Sequence, residues 1–275
     1  MDNLLRALWT GASGMIAQQT NVDTIADNLA NVNTTGFKSE KAEFKSLLYQ
    51  TLQTKTTTAN GNPKPVGAQV GLGVRNCSID TSFEQGSMQE SDSNTDFGIS
   101  GKGFFAVRQE NGEIAYTRNG NFKWALSGNG GMILTSSEGY PVLDTNGNSI
   151  QVPAGYQMSS VKFSKDGSLG YMNADNNWVD LGATIGLYQF NNPSGLTKLA
   201  GTYFQVSPAS GVAQEENTIA QAQRSTLYQG YLESSNVQVA DEMVNLIIAQ
   251  RAYEMNSKAI TTSDTMMEEA NNLKR

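Results

Sequence analysis

The sequence predicts an α+β protein, in which a mainly antiparallel β central domain lies between N- and C-terminal helices that pair as a coiled-coil-like terminal domain. Apolar side chains recur every seven residues near both ends of the 275-residue chain, which places them on one stripe of a helix. In the middle, Asn-Gly and related turn signals recur every eight to ten residues, a spacing typical of short strands joined by tight turns.

The N-terminal residues 1–33 contain no proline, and their apolar residues have helical spacing. The main series, at strict intervals of seven, is Met1, Leu8, Met15, Val22 and Leu29. A second and weaker series, interrupted by polar or small residues, contains Leu4, Ile25 and Val32. Gly36 follows an Asn/Thr cluster and predicts the helix stop. We expect an N-terminal assembly seam made by Leu8, Met15, Val22, Ile25 and Leu29.

The C-terminal end carries the stronger series of sevens. Its members are Val239, Leu246, Tyr253, Ile260 and Met267, and the stripe is widened by Met243 and Ile247. We expect a C-terminal assembly seam made by Val239, Met243, Leu246, Tyr253, Ile260 and Met267. Asn236 is the predicted helix cap. Residues 261–263 are poor helix formers, so a break there is an open alternative.

The middle of the chain, residues 66–230, predicts β structure. The turn signals are Asn111-Gly112, Asn119-Gly120, Asn129-Gly130, Glu138-Gly139 and Asn146-Gly147. Apolar runs between and after them predict strands, including one buried strand over Ala183–Phe190. No helical pattern separates these strands, so a barrel or sandwich is favoured over a parallel sheet. By contrast, residues 53–65 contain two prolines and no large apolar side chain, which predicts an extended loop that orders only against a neighbour.

Composition excludes several classes of function. The chain has 19 Lys and Arg against 26 Asp and Glu, a net charge of −7, which argues against binding nucleic acid or coating an anionic membrane. It contains no His and one Cys, Cys77, which excludes Ser-His-Asp catalysis, His-ligated zinc and internal disulfides. We predict no cofactor, no metal and no enzymatic activity. Neither a membrane-spanning run nor a cleavable signal peptide is expected.

Three motifs resemble ligand sites but favour plain turns. Gly101-Lys102-Gly103 matches a nucleotide fingerprint, yet it leads into a predicted strand instead of a helix. The stretch from Asp144 to Asn148 resembles a calcium loop but lacks the Glu at the twelfth position. Glu90, Asp92 and Asp96 form a small acidic cluster, so a carboxylate-based wall-cleaving enzyme stays open as a rival function. A β-domain binding module is the second rival.

The two seams lead to an expectation about assembly. One helix pair would cover only part of each apolar stripe, so the ends are suited to packing against other copies. Each seam side chain contributes about 1.5–3 kcal/mol when fully buried. We therefore expect mobile ends in the free chain and ordered ends in an assembly.

Five motifs resemble the bacterial flagellar rod and hook proteins. They are Ile25–Lys38 (IADNLANVNTTGFK), Tyr228–Val237 (YQGYLESSNV), Gln250–Lys258 (QRAYEMNSK), and the central pair Gly101–Phe105 (GKGFF) and Tyr116–Phe122 (YTRNGNF). The resemblance runs from end to end.

Leu47–Thr51 and the polar loop to Pro65 resemble the rod-type insertion, so distal-rod members are the most similar. The resemblance assigns rod-type loop contacts to Tyr49, Gln50, Thr51, Pro63 and Pro65.

The resemblance implies a structural subunit of the basal-body distal rod, which assembles helically into a stiff tubular drive shaft between motor and hook. It implies export through the flagellar type III apparatus without a cleaved signal, and a location in the periplasmic rod. The implied partners are other copies, the proximal rod proteins, and the hook or hook-junction proteins, with the outer-membrane and peptidoglycan ring proteins as further candidates. A proximal rod or hook-type axial protein is the alternative within the family.

Three regions follow from these expectations. Residues 1–35 and 232–275 form the terminal assembly domain, with the helices inside the tube. Residues 36–70 and 211–231 form a linker region that includes the rod-type loop 50–65. Residues 71–210 form the β-rich central domain, outside the tube.

Overall fold

A computed structural model describes residues 2–53, 67–127, 130–153, 161–164, 167–172, 178–218 and 224–273. The predicted α+β class is confirmed: two long helices, in contact with each other, flank several small antiparallel sheets. The chain divides into two compact units. Unit 1 contains Met1–Ala30, Glu40–Asp80 and Gln238–Arg275; unit 2 contains Asn31–Ser39 and Thr81–Val237. The three-region division expected from the sequence stays a prediction.

Unit 1 is built on the two helices, α1 (Asp2–Ala30) and α2 (Val239–Asn272). Its strands are β1 (Glu40–Ser46), β2 (Tyr49–Gln53), β3 (Ala68–Gly71) and β4 (Val74–Thr81). The pairs β1–β4 and β2–β3 each form a two-stranded sheet. Polar side chains tie β4 to α1, because Val74 N donates to Ser13 Oγ at 3.3 Å and Asn76 Nδ2 donates to Thr20 Oγ1 at 2.6 Å.

The C-terminal helix corrects two expectations. Asn236 does not cap α2: Gln238 precedes the helix without a side-chain cap, and the Asn236 amide bonds the backbone of Ser39 and Ser82 instead. The helix also continues without a break through residues 261–263. There the Thr261 and Thr262 hydroxyls donate to the Lys258 carbonyl at 2.9 and 2.8 Å, so they bond to the preceding turn without interrupting the helix.

Unit 2 is mainly antiparallel β structure, and every strand pair between its described residues is antiparallel. Its strands are β5 (Met88–Glu90), β6 (Phe97–Ser100), β7 (Phe104–Arg108), β8 (Ile114–Thr117), β9 (Phe122–Leu126), β10 (Met132–Ser136), β11 (Gln151–Val152), β12 (Val161–Phe163), β13 (Ser168–Met172), β14 (Trp178–Thr184), β15 (Leu187–Gln189), β16 (Thr197–Lys198), β17 (Tyr203–Gln205), β18 (Gln214–Glu215), β19 (Thr226–Gln229) and β20 (Tyr231–Glu233).

The strands of unit 2 form one large sheet and several small ones. The six-stranded sheet has the order β16-β17-β8-β7-β15-β18. The three-stranded sheets β11-β10-β9 and β12-β13-β14 and the pairs β19-β6 and β20-β5 complete the arrangement. The expected single strand over Ala183–Phe190 was wrong: β14 ends at Thr184 and β15 begins at Leu187. Between them, Ile185 N bonds to Gly167 O and Gly186 N to Leu143 O, so each backbone donor has a different partner segment.

The core of unit 2 lies between these sheets and is rich in phenylalanine. Phe97, Phe105, Phe122 and Phe163 belong to the larger cluster, and Phe104, Phe190 and Phe204 belong to the smaller one. Edge-to-face contacts join several rings, such as Phe105 and Phe122 at 5.0 Å between centroids. Buried aromatic rings contribute both area and preferred ring geometry, so this phenylalanine-rich core stabilises unit 2.

Candidate functional site

The two helices of unit 1 pack antiparallel at close range. A Cβ added at Gly11 would lie 2.8 Å from Ile260 Cγ1, and one added at Gly14 would lie 2.8 Å from Asn256 Nδ2. At the other end of α1, Asn28 bonds to Glu242. Residue numbers rise along α1 as they fall along α2, which establishes the antiparallel direction. The two glycines therefore give the facing side chains room, since an added Cβ would force Ile260 and Asn256 to shift.

Asn28 fixes the end of α1 to two other segments of unit 1. Its Nδ2 donates to Glu40 O at 2.8 Å and to Glu242 Oε1 at 3.1 Å, while its Oδ1 accepts from Glu40 N at 2.8 Å. The residue is fully buried. Burial raises the pKa of the Glu242 carboxyl, and the hydrogen bond from Asn28 opposes that rise. A buried amide with three satisfied partners sets the register of the helix pair.

The predicted N-terminal seam is partly buried. Ile25 is buried, whereas Leu8, Met15, Val22 and Leu29 are half-buried. The sequence reasoning missed a row of small and polar residues that are buried on the same helix: Gly11, Ala17, Thr24 and Asn28. Ala17 and Thr24 are seven residues apart and Asn28 follows four residues later, a helical spacing of small and polar residues that a search for apolar residues does not detect. The assembly role of the seam residues stays a prediction.

The predicted C-terminal seam divides by exposure. Leu246, Ile260 and Met267 are half-buried, whereas Val239, Met243 and Tyr253 are exposed. On α2 the sequence reasoning also missed a row at intervals of seven, which contains Glu242, Ala249, Asn256 and Ser263. Ala249 and Ser263 are the buried residues of this helix within its described part. The contact with α1 is thus made largely by small and polar side chains.

The opposite side of α2 presents apolar side chains to solvent. The exposed α2 face, as we name it, consists of Met243, Val244, Ile247, Ile248 and Met255. Each is more than half exposed, and Ile248 reaches 61%. Arg251 and Lys258 lie on the same side and are also exposed. On α1, Trp9 and Ile16 stand seven residues apart and are 75% and 66% exposed. Apolar surface on this scale marks an interaction site.

The β2–β3 hairpin adds a third exposed surface to unit 1. Tyr49, Gln50 and Thr51 lie in β2 and are exposed, and so are the neighbouring Leu48 and Leu52. Gln50 Oε1 accepts a hydrogen bond from Arg6 Nη1 at 3.2 Å, which connects the hairpin to α1. The other two residues of the predicted rod-type loop contacts, Pro63 and Pro65, lie outside the described residues.

The motifs that resemble ligand sites occupy structural positions. Gly103 enters β7 and donates its N–H to Ser225 Oγ at 2.8 Å, in the place where a nucleotide fingerprint would open a helix. Asp144 begins a tight turn, closed by Gly147 N to Asp144 O at 2.8 Å. Asp96 is buried and accepts from Ser91 Oγ at 2.5 Å. Within the described parts of the chain, no group of metal-binding side chains comes together, and neither helix is long and apolar enough to cross a membrane.

Comparison with known proteins identifies the family of this chain. Three family descriptions match the chain: "Flagella basal body rod protein" over residues 8–38, "Flagellar hook protein FlgE/F/G D1 domain" over 98–171, and "Flagellar basal body rod FlgEFG protein C-terminal" over 228–273. Among relatives, the flagellar basal-body rod protein FlgG of Borreliella burgdorferi is 46% identical over 275 residues, which cover 99% of this chain and 100% of the relative. The chain belongs to the FlgG family of flagellar basal-body rod proteins.

Other FlgG relatives agree over nearly their whole length. FlgG of Caulobacter vibrioides is 39% identical, covering 98% of this chain and 100% of the relative. FlgG of Bacillus subtilis is 37% identical, covering 99% and 100%. As a FlgG-family protein, the chain is a structural subunit of the basal-body distal rod and not an enzyme. It assembles with other rod and hook components at the flagellar basal body. The predicted family and function are confirmed.

Proposed function

We propose that copies of this FlgG-family chain stack helically through unit 1 and form the stiff tubular shaft that carries torque from motor to hook. The observation that carries the proposal is the exposed α2 face. Its five apolar side chains point away from α1, so the contact between the two helices leaves them in water. Apolar side chains that the contact with α1 leaves in water are stabilised when a second partner covers them.

The required interface is heterologous. A rod is an open helical array, and such arrays form when one surface of a copy binds a different surface of the next. Unit 1 offers three distinct apolar surfaces: the exposed α2 face, the pair Trp9 and Ile16, and the β2–β3 hairpin. Several surfaces per copy also favour stiffness, because each subunit is then held by more than one neighbour.

The rod-type loop is proposed to contact neighbouring copies. Tyr49, Gln50 and Thr51 are exposed at the base of the hairpin, and the segment that carries Pro63 and Pro65 follows. Its polar, proline-containing composition lacks the apolar side chains needed to fold against its own chain. A neighbouring copy supplies the missing partner surface.

Family membership supports the finer partners. We assign proximal rod proteins to one end of the array and hook or hook-junction proteins to the other, with the ring proteins of the envelope around it. Export by the flagellar type III apparatus without a cleaved signal completes the proposal. These assignments rest on the family and on no contact within this chain.

The experiment is a charge placed on the exposed α2 face. We expect Ile248→Asp to leave the monomer folded, since exposed substitutions change stability by about 0.5 kcal/mol or less, and to abolish rod formation. Val212→Asp is the matched control, because Val212 is 80% exposed in unit 2, outside the face. Rods are scored by electron microscopy of hook–basal bodies from cells that express each variant. Wild-type rods with Ile248→Asp would overturn the proposal.

A further inference from the structure

Unit 2 contains a buried ionic cluster that the rod proposal does not use. The Glu233 carboxylate, at the end of β20, accepts from Lys38 Nζ at 2.7 Å and from Arg118 Nη1 at 3.3 Å. All three side chains are at most 1% exposed. Burial lowers the pKa of both cations, and the Glu233 charge opposes that change. Two cations therefore share one buried anion.

The remaining bonds of the cluster go to backbone groups. Glu233 Oε1 also accepts from Gly86 N at 2.9 Å, and Lys38 Nζ donates to Glu84 O at 2.7 Å. Arg118 Nη2 donates to Gly101 O at 2.6 Å. The guanidinium lies 5.0 Å from the centre of the Phe104 ring. Glu84, Gly86 and Gly101 all lie outside the strands, so these bonds hold loop segments.

The cluster lies beside the two places where the chain passes from unit 2 into unit 1. Lys38 lies in residues 31–39, just before the chain enters unit 1 at Glu40. Glu233 lies just before it enters unit 1 again at Gln238. Around the ions, Gly36 N donates to Glu233 O at 2.8 Å, and Ser39 N donates to Asn236 Oδ1 at 2.8 Å. Both crossings are thus held side by side within unit 2.

The charge balance makes Glu233 the sensitive member. Lys38 and Arg118 together carry two positive charges, and Arg118 Nε is buried without a hydrogen-bond partner among the described residues. Glu216 acts electrostatically on Arg118 from further away. Removing one partner from a buried ionic group leaves an uncompensated charge, which is much more costly than removing the group as a whole.

We propose that Glu233 is a positioning residue whose negative charge locks residues 31–39, 82–87 and 234–237 to one another. The charge of Glu233, and not only the shape of its side chain, keeps these three segments in contact. The inference concerns the single chain, so it stands or falls independently of rod assembly.

The test is hydrogen exchange followed by mass spectrometry on the full-length monomer. Glu233→Gln keeps the side-chain volume and an acceptor for Gly86 N but leaves two buried cations unpaired. We expect exchange in the three locked segments to rise about tenfold or more, because local opening costs less. The strands β7 and β8 should keep their protection. Glu90→Gln is the matched control, since Glu90 is exposed on β5, the strand that pairs with β20.

A second substitution separates charge from packing. Lys38→Met removes one cation and replaces it with an uncharged side chain of similar length. Glu233→Gln alone leaves two buried cations unpaired, whereas the double variant Lys38→Met with Glu233→Gln leaves one. We expect the double variant to slow exchange in the locked segments by about threefold or more relative to Glu233→Gln. If Glu233→Gln does not fold, the double variant must fold. Wild-type exchange in Glu233→Gln, or a double variant that is as open as Glu233→Gln or worse, would overturn the proposal.

Discussion

Asn28 Nδ2 lies 3.1 Å from Glu242 Oε1, so one hydrogen bond joins the last turn of α1 to the first turn of α2. The two residues are 214 positions apart in sequence. The same amide holds both backbone groups of Glu40. The first and last helices of the chain are therefore connected through a buried polar contact, and its removal should be measurable.

Asn28→Ala should destabilise unit 1. The substitution leaves the Glu40 N–H and C=O without their side-chain partner, and an unsatisfied buried polar group costs about 1–3 kcal/mol. Urea unfolding, followed by the loss of helical circular dichroism, measures the change in free energy of unfolding. Asn245→Ala is the control, because Asn245 is exposed on α2. Equal stability of the two variants would contradict the role of Asn28.

Because of Glu242, the helix pair should be more stable in mild acid than at neutral pH. Its folded-state pKa is raised, chiefly by burial, so between the ordinary pKa of 4.5 and the raised value the folded state binds more protons than the unfolded state. The contribution of this group to stability therefore falls as pH rises through that window. Glu242→Gln should remove the pH dependence and raise the melting temperature at neutral pH.

The check on Glu242 is a difference curve of melting temperature against pH, for Glu242→Gln minus wild type. Glu268→Gln serves as the control for replacing a glutamate on the same helix, because Glu268 is exposed there. A Glu242→Gln difference curve that does not vary with pH would count against the assignment.

Gly36→Ala should be strongly destabilising for two reasons that a control can separate. Gly36 has φ of +69°, and an added Cβ would lie 2.5 Å from the backbone N of Asn119. The left-handed conformation alone costs an alanine about 1–2 kcal/mol, and the backbone clash adds to it. Gly112 has φ of +83° with no atom near an added Cβ, so Gly112→Ala should show only the conformational cost. Chemical unfolding of both variants should place Gly36→Ala well below Gly112→Ala in stability.

Tyr116 should ionise late. Burial raises the pKa of its phenol to about 12 from the ordinary value of 10.0, so the phenol contributes stability that is fully present below pH 10 and is lost as pH rises toward 12. Tyr116→Phe keeps the ring that contacts Tyr188 and Phe190 and should unfold less steeply in alkali. Urea unfolding at a series of pH values between 10 and 12 measures this, and the same loss of stability with pH in Tyr116→Phe as in wild type would refute it.

Deletion of residues 53–63 should leave both units folded and affect only the assembly. Most of this segment lies outside the described residues, between β2 and β3. If the loop contacts neighbouring copies, rods of the deletion variant should be shorter or bent in electron micrographs of hook–basal bodies, while the monomer melts as wild type does. Straight rods of normal length would show that the loop has no such contact.

Several elements were predictable because their signals are local. Sevenfold apolar spacing predicted both helices, and the Asn-Gly turn at Asn111 predicted the β7–β8 hairpin. The long signature motifs predicted the family, which the relatives confirm. Predictions that depended on distant partners were less successful. Asn236 has the chemistry of a helix cap, but its amide bonds the backbone around Ser39 and Ser82 instead.

The sequence by itself determined the two terminal helices, the β-rich middle and the flagellar family, because periodicity, turn chemistry and long motifs are properties of neighbouring residues. Only the tertiary structure decided which side of each helix is covered: the side of α1 with Gly11 and Gly14 meets α2, and the exposed α2 face with Ile248 does not. It also brought Lys38 to Glu233 across 195 positions. Such contacts depend on burial and on the cost of an unpaired charge in the folded chain, and no local pattern carries that information.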